Sequence, residues 1–224
     1  MLSQFTLLDG DLVSVDAPDV TLSPPVVIGV LYADSTEIEV NAGTQEAADL
    51  FLGITGTQLT SQLTLRGGRT LHVGPLGGDR ANGWGYVVEI GDDRVFGPTP
   101  PSVTVERLAA VLADTSPARN GRGVVLQPNG SATWSPFRTQ GASQMGTRPD
   151  GTKLMLDIRR AVPGQKRSSK GLQVRGGSLT KQNQHGRDYV ILENPDFVIY
   201  GLPIPDIELN DLAGTVAEVL VERR

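Results

Sequence analysis

Cysteine is absent from this chain, and that one absence removes disulfides, thiolate zinc sites, iron–sulfur clusters and cysteine nucleophiles together. Histidine is nearly absent too. His72 sits in the apolar run Thr70-Leu71-His72-Val73 and His185 in the polar stretch Gln182-Asn183-Gln184-His185-Gly186. No Gly-x-Ser-x-Gly elbow accompanies them, so a histidine-driven nucleophile has nowhere to sit. The sequence also lacks a His-Glu-x-x-His helix, a Gly-x-x-x-x-Gly-Lys phosphate loop and an Asp-x-Asp-x-Asp-Gly calcium loop. No catalytic residue, metal ligand or cofactor site is therefore expected, and the chain reads as a non-enzyme. The longest apolar stretch, Val26-Val27-Ile28-Gly29-Val30-Leu31-Tyr32, is about a third of a membrane span. The opening Met1-Leu2-Ser3-Gln4-Phe5 has no basic secretory signature. Together these predict a cytoplasmic protein, or a virion component, with no membrane partner.

Charge of one sign is missing from the first third. Between Met1 and Leu65 there are nine acids and no lysine or arginine: Asp9, Asp11, Asp16, Asp19, Asp34, Glu37, Glu39, Glu46 and Asp49. Between Lys153 and Arg187 the balance reverses, with nine bases against Asp157 alone. The bland reading is two solvated faces. The sharper reading takes Asp9, Asp11, Asp16, Asp19, Asp34, Glu37 and Glu39 as a surface for a basic partner. It takes Arg159, Arg160, Lys166, Arg167 and Lys170 as a surface for an acidic one. Nucleic acid is not the expected partner. The basic stretch has no aromatic between Phe137 and Tyr189 to stack a base, and the isoelectric point of 5.1 has the wrong sign.

What the sequence does contain is 27 glycines and 15 prolines in 224 residues, a composition of short strands and many turns. It also contains a repeat. Residues 85–114 align without a gap on 189–218 at an offset of 104, with identities at Glu89/Glu193, Asp92/Asp196, Gly97/Gly201, Pro101/Pro205, Leu108/Leu212, Ala109/Ala213 and Ala113/Ala217. Upstream, Leu63-Thr64-Leu65-Arg66-Gly67-Gly68 matches Leu172-Gln173-Val174-Arg175-Gly176-Gly177 at 109. Further upstream, Val20-Thr21-Leu22-Ser23-Pro24 matches Ala132-Thr133-Trp134-Ser135-Pro136 at 112. The three matches fall in the same order in both halves.

Each half reads as an antiparallel sheet with a helix. Tyr86–Ile90 and Arg94–Phe96 predict a hairpin around Gly91-Asp92-Asp93, with Gly97 and Gly201 ending the return strands. The spacing of Val105, Leu108, Ala109 and Leu112, and of Leu209, Leu212, Ala213 and Val216, predicts one amphipathic helix per copy. Ser102 or Thr104 would cap the first and Asp206 the second. Val26–Tyr32 and Thr36–Val40 predict two strands, and Thr44 caps a short helix over Gln45–Leu52. In the second copy Lys153–Ile158 is the expected matching strand, with no counterpart of the short helix. The Arg-Gly-Gly sites predict tight turns rather than an RNA-binding repeat. Asp114 to Gly123, dense in turn residues, predicts a linker.

The expected architecture is an α+β tandem duplication, residues 1–118 and 119–224, packed with internal pseudo-two-fold symmetry; two beads on a linker is the alternative. Three functions fit. One is a non-catalytic protein-binding module, such as a toxin-neutralising immunity-type protein using its acidic third. Another is a structural subunit of a phage virion or tail, bound to copies of itself. The third is an enzyme of unrecognised type.

Overall fold

The computed structural model describes residues 2–162, 164, 171–204 and 207–224. Strands dominate. In chain order they are β1 (Leu2–Thr6), β2 (Leu12–Asp16), β3 (Thr21–Leu22), β4 (Val26–Ala33) and β5 (Thr36–Gly43), then α1 (Gln45–Thr55). Next come β6 (Ser61–Thr64), β7 (Thr70–Pro75), β8 (Trp84–Ile90), β9 (Asp93–Pro98) and α2 (Val105–Ala113). There follow β10 (Thr115–Asn120), β11 (Gly123–Pro128), β12 (Thr133–Trp134), β13 (Gly141–Thr147), β14 (Lys153–Arg160) and β15 (Leu172–Val174). The last elements are β16 (Gly177–Gln184), β17 (Arg187–Glu193), β18 (Phe197–Pro203), α3 (Leu209–Ala217) and β19 (Leu220–Arg223). The fold is sheet-rich α+β, as the glycine and proline content implies.

The chain forms two compact units that interleave along the sequence. One holds residues 1–5, 11–25 and 141–224; the other holds 6–10 and 26–140. These units do not follow the boundary expected at 118/119. The reason lies in strand pairing. β2 pairs with β19 and β3 with β13, which carries residues 11–25 into the C-terminal unit. β11 pairs with β10 and β12 with β4, which ties 123–134 to the earlier one.

The unit of residues 26–140 is built on the antiparallel order β12-β4-β5-β9-β8-β7-β6. The two-residue turn between β4 and β5 places Asp34 and Ser35 at positive φ, the geometry of a tight hairpin. On one face of the sheet, Val87 and Phe96 pack under α1 through Ala48, with Phe51 tilted on Phe96 at 5.5 Å. Alternation sends Tyr86, Val88 and Val95 to the other face, where they are buried, as are Leu108, Val111 and Leu112 of α2. Thr44 and Thr104 cap α1 and α2 by accepting from Ala47 N and Arg107 N. Arg69 donates to the carbonyls of Leu112 and Thr115 at the end of α2, satisfying groups the helix leaves unpaired.

The other unit follows the order β3-β13-β14-β18-β17-β16-β15, with β1-β2-β19 as a second sheet. α3 lies on β16, β17 and β18 and buries Leu212, Ala213 and Val216. Arg175 donates to the carbonyl of Glu218 at the helix end. Among the described residues no helix stands between β14 and β15.

Several expectations need correction. Asp114–Gly123 is not a linker: Thr115 to Asn120 pairs residue for residue with Gly123 to Pro128, and the glycines there serve the hairpin turn. Neither Gly97 nor Gly201 ends its strand: Pro98 continues β9 opposite Gly85. Gly201 lies inside β18, where α3 packs so close that a Cβ would stand 2.6 Å from Val216 Cγ2. The cap of α3 is Glu208 without a side-chain bond; Asp206 lies outside the described residues.

Candidate protein-binding surfaces

Asp11 and Asp16 of the acidic third meet arginines of the basic stretch within one unit. Val13, Ser14 and Val15 of β2 are buried, while Asp16 at its end and Asp11 just before it are only partly buried. Asp11 there faces Arg160 at 2.7 Å and Arg223 at 2.8 Å, and Asp16 faces Arg175 at 2.5 Å. The guanidinium of Arg175 holds the Asp16 carboxyl below the usual carboxylate range, chiefly by hydrogen bonding. In the other unit Asp34 pairs with Arg107 across the end of α2. Glu37 accepts from Ser135 Oγ at 2.5 Å and Arg138 Nε at 3.2 Å, and Glu39 accepts from Asn41 Nδ2.

The remaining candidates are scattered. Arg159 pairs with Asp157 on its own strand. The backbone of Asp9 donates to Gln140 Oε1, while Asp19 turns at positive φ beside a crevice lined by Arg148, Asp150, Asn210 and Glu218. Lys166, Arg167 and Lys170 lie outside the described residues. Among the described candidates the structure joins Asp11 to Arg160, while Asp16, Asp34, Glu37 and Arg159 pair with Arg175, Arg107, Arg138 and Asp157.

Two features escaped the sequence reading. The first is a cleft of about 1010 Å³ lined by Met155, His185, Arg187, Tyr189, Leu202 and Ile204, among others. β17 and β18 stay paired from Glu193/Val198 only as far as Val190/Gly201, then diverge. At the matching end of the other unit, β8 and β9 continue to Gly85/Pro98, and Thr99 N–H donates to Trp84 O at 2.8 Å. The residue five beyond Val198 is Pro203, just as Thr99 is five beyond Arg94, and proline has no N–H to close the gap. A proline two residues beyond the last pair of a ladder is a legible signal only once that pairing is known.

The second feature is a match of side chains at the short strands. Trp134 of β12 lies opposite Leu31, and its ring covers Gly29, where a Cβ would stand 2.9 Å from Trp134 Cζ3 and 3.0 Å from Leu8 Cδ1. Leu22 of β3 lies opposite Gly146, and two residues before Gly146 stands buried Gln144. Its Nε2 donates to Ser23 O at 2.8 Å and Ser3 Oγ at 3.1 Å. A tryptophan is received by a glycine in one unit; a leucine-serine corner is received by a glutamine in the other.

His72 is half-buried on β7, and His185 sits at positive φ in the exposed turn between β16 and β17. Among the described residues no group of three or more histidines, aspartates or glutamates is placed to hold a metal ion, and no helix is long and apolar enough to cross a membrane. Burial raises the Tyr86 phenol well above its ordinary value, helped by Glu39, and its hydroxyl donates to the Glu39 carbonyl at 2.8 Å. That is a structural phenol locked as a donor. No family model matches this chain, and neither a curated protein nor a solved structure resembles it.

Proposed function

We propose that this chain is a non-catalytic protein-binding subunit of an assembly, built as a tandem duplication whose two copies exchange their leading strands. The support for duplication is register. The pairing Thr115/Pro128 of β10 with β11 has its counterpart in Leu220/Asp16 of β19 with β2. Thr133/Tyr32 has its counterpart in Thr21/Thr147, and Leu63/Leu71 in Leu172/Leu179. Leu71/Val88 corresponds in turn to Leu179/Leu192. One residue of each pairing shifts by an offset at which the sequence matches itself, 112 for Asp16/Pro128 and Thr21/Thr133, 109 for Leu63/Leu172 and 104 for Val88/Leu192, while its partner shifts by 105, 115 or 108. In this reading β2–β3 belongs by descent with β4–β10 and β11–β12 with β13–β19, yet each serves the other copy.

A chain that completes each of its units with strands donated from elsewhere already works by strand addition, a mode of protein recognition. It is an exchanged dimer made into one polypeptide, the kind of part from which larger assemblies grow. The observation that carries this reading is the reciprocal fit of Trp134 to Gly29 and of Ser23 to Gln144. An immunity-type role is disfavoured because Asp11, Asp16, Asp34 and Glu37 already face arginines that a basic partner would have to displace. Size-exclusion chromatography with light scattering, across protein concentration and salt, tests the assembly role. Growth in mass with concentration at low salt is expected. A salt-independent monomer throughout contradicts it.

A further inference from the structure

The leading hairpin cannot easily close on its own copy. β3 ends at Leu22 and β4 begins at Val26, so Ser23, Pro24 and Pro25 form the whole connection. If Leu22 took the place Trp134 holds opposite Leu31, the chain would have to reach Val26, five residues further along β4. That is ~17 Å at ~3.4 Å per residue. Four extended steps span only ~14 Å. Closure would require Val26 and Val27 to leave the sheet and form a two-residue turn. Such turns demand positive φ, which β-branched side chains resist, and the Val27/Ala42 pairing would be lost. Pro24 and Pro25 further favour an extended exit, and neither can donate to a strand.

The second hairpin is held away from its own copy by a different means. Six residues, 135–140, join β12 to β13, and ~24 Å of reach is ample for the same span. Here side chains intervene. Trp134 seated opposite Gly146 would meet Gln144 where Gly29 otherwise leaves room. Connection length excludes self-closure in one copy, and side-chain size excludes it in the other.

We infer that the acidic hairpin of residues 11–25 is a donated element whose second acceptor is another copy of this chain. It would seat there on residues 141–224 as it does within its own chain. The inference rests on the exchanged-repeat reading above. The recognition chemistry is complete in the described contacts. β2 adds to β19 in a fixed register, Asp11 meets Arg160 and Arg223, Asp16 meets Arg175, and Ser23 is read by Gln144. Nothing in that joint depends on the hairpin and its acceptor sharing one polypeptide. Within a chain the effective concentration is of order millimolar, so in-chain seating prevails in dilute protein, and exchange between chains takes over when it is obstructed or when folding occurs in concentrated solution.

The absence of cysteine makes the test clean. In one full-length chain Thr21→Cys is combined with Asp11→Arg and Asp16→Arg. In a second, Thr147→Cys is combined with Arg160→Asp, Arg175→Asp and Arg223→Asp. In-chain seating now sets like charges against each other in both, whereas exchange between the two restores every pair. After co-refolding and oxidation, about tenfold more disulfide-linked heterodimer is expected than from Thr21→Cys and Thr147→Cys chains with native charges treated alike. No enrichment overturns the inference. Because the reversed chains risk failing to fold, native-charge single-cysteine chains are also co-refolded at rising concentration. Heterodimer should rise with concentration, and its absence at the highest counts against the inference. A single chain carrying both Thr21→Cys and Thr147→Cys separates the two levels. If it cross-links internally while no heterodimer forms, only exchange between chains is wrong. If it does not cross-link, the exchanged-repeat reading itself fails.

Discussion

Trp134 rests over a glycine of the neighbouring strand β4, while Leu22 precedes a serine whose carbonyl is held by a buried glutamine. The first joint relies on shape: a large ring, a missing Cβ and the Leu8 side chain against them. The second relies on polarity, with Asp11 and Asp16 facing three arginines around it. One topology is thus secured by packing at one site and by hydrogen bonds and charge at the other. The difference teaches that the two short-strand joints are held by different chemistry: Trp134 fits the space left by Gly29, and the corner at Ser23 fits the amide of Gln144.

The comparison can be broken first at the cores. Leu108→Ala and Leu212→Ala each remove a fully buried helix residue and should each cost about 2–5 kcal/mol. Denaturant titrations monitored separately through Trp84 or Trp134 and through Tyr200 would show whether the units lose structure together. Coincident transitions are expected, since each unit needs strands whose connections run through the other. Next comes Gly29→Gln, which gives the packed joint the residue of the polar one. Overpacking against Trp134 should cost about 1–3 kcal/mol, read as a lower urea midpoint with unchanged slope.

A smaller effect follows from Tyr86→Phe, which leaves the Glu39 carbonyl without its donor and should cost about 0.5–1.5 kcal/mol. The phenol also sets an alkaline limit. Its folded pKa lies above the unfolded value, so its contribution is intact below about pH 10 and is lost as pH rises beyond that. Tyr86→Phe should flatten the alkaline end of the stability curve. Asp16→Asn should have the smallest effect on stability, because the Asp16–Arg175 pair is exposed. Its folded pKa is depressed, so the contribution is present above the ordinary carboxylate value and disappears as pH falls through the folded one. The variant should remove part of the acid sensitivity of the hairpin joint in a pH titration of tyrosine fluorescence.

Much of each unit was legible in advance. The hairpin and helix at 85–114 and 189–218 follow from period-two and period-3.6 spacing, and Thr44 and Thr104 cap the helices that their chemistry marks out. The pairing of β2 with β19 and of β3 with β13 was not legible, because strand pairing is long-range and nothing in Val20–Pro24 states which edge it joins. The split of acids and bases along the chain was visible but pointed outward. Within its unit the acidic hairpin lands beside Arg160, Arg175 and Arg223. Likewise Gly201 looked like a strand terminator when it is the thin place that lets α3 approach β18. The cleft beside Tyr189 depends on a missing N–H at Pro203, which matters only where a partner strand would have used it.

The central claim is that residues 11–25 complete the unit of 141–224 and not the copy that follows them. Oxidative cross-linking of two double variants in the full chain tests it most directly. Thr21→Cys with Thr147→Cys should form an intrachain disulfide rapidly, because paired strand residues bring their Cα atoms within bonding range. Thr21→Cys with Tyr32→Cys should remain reduced, since Tyr32 faces Thr133. The opposite result, with position 21 joined to position 32, would show that the leading strand folds back on its own copy.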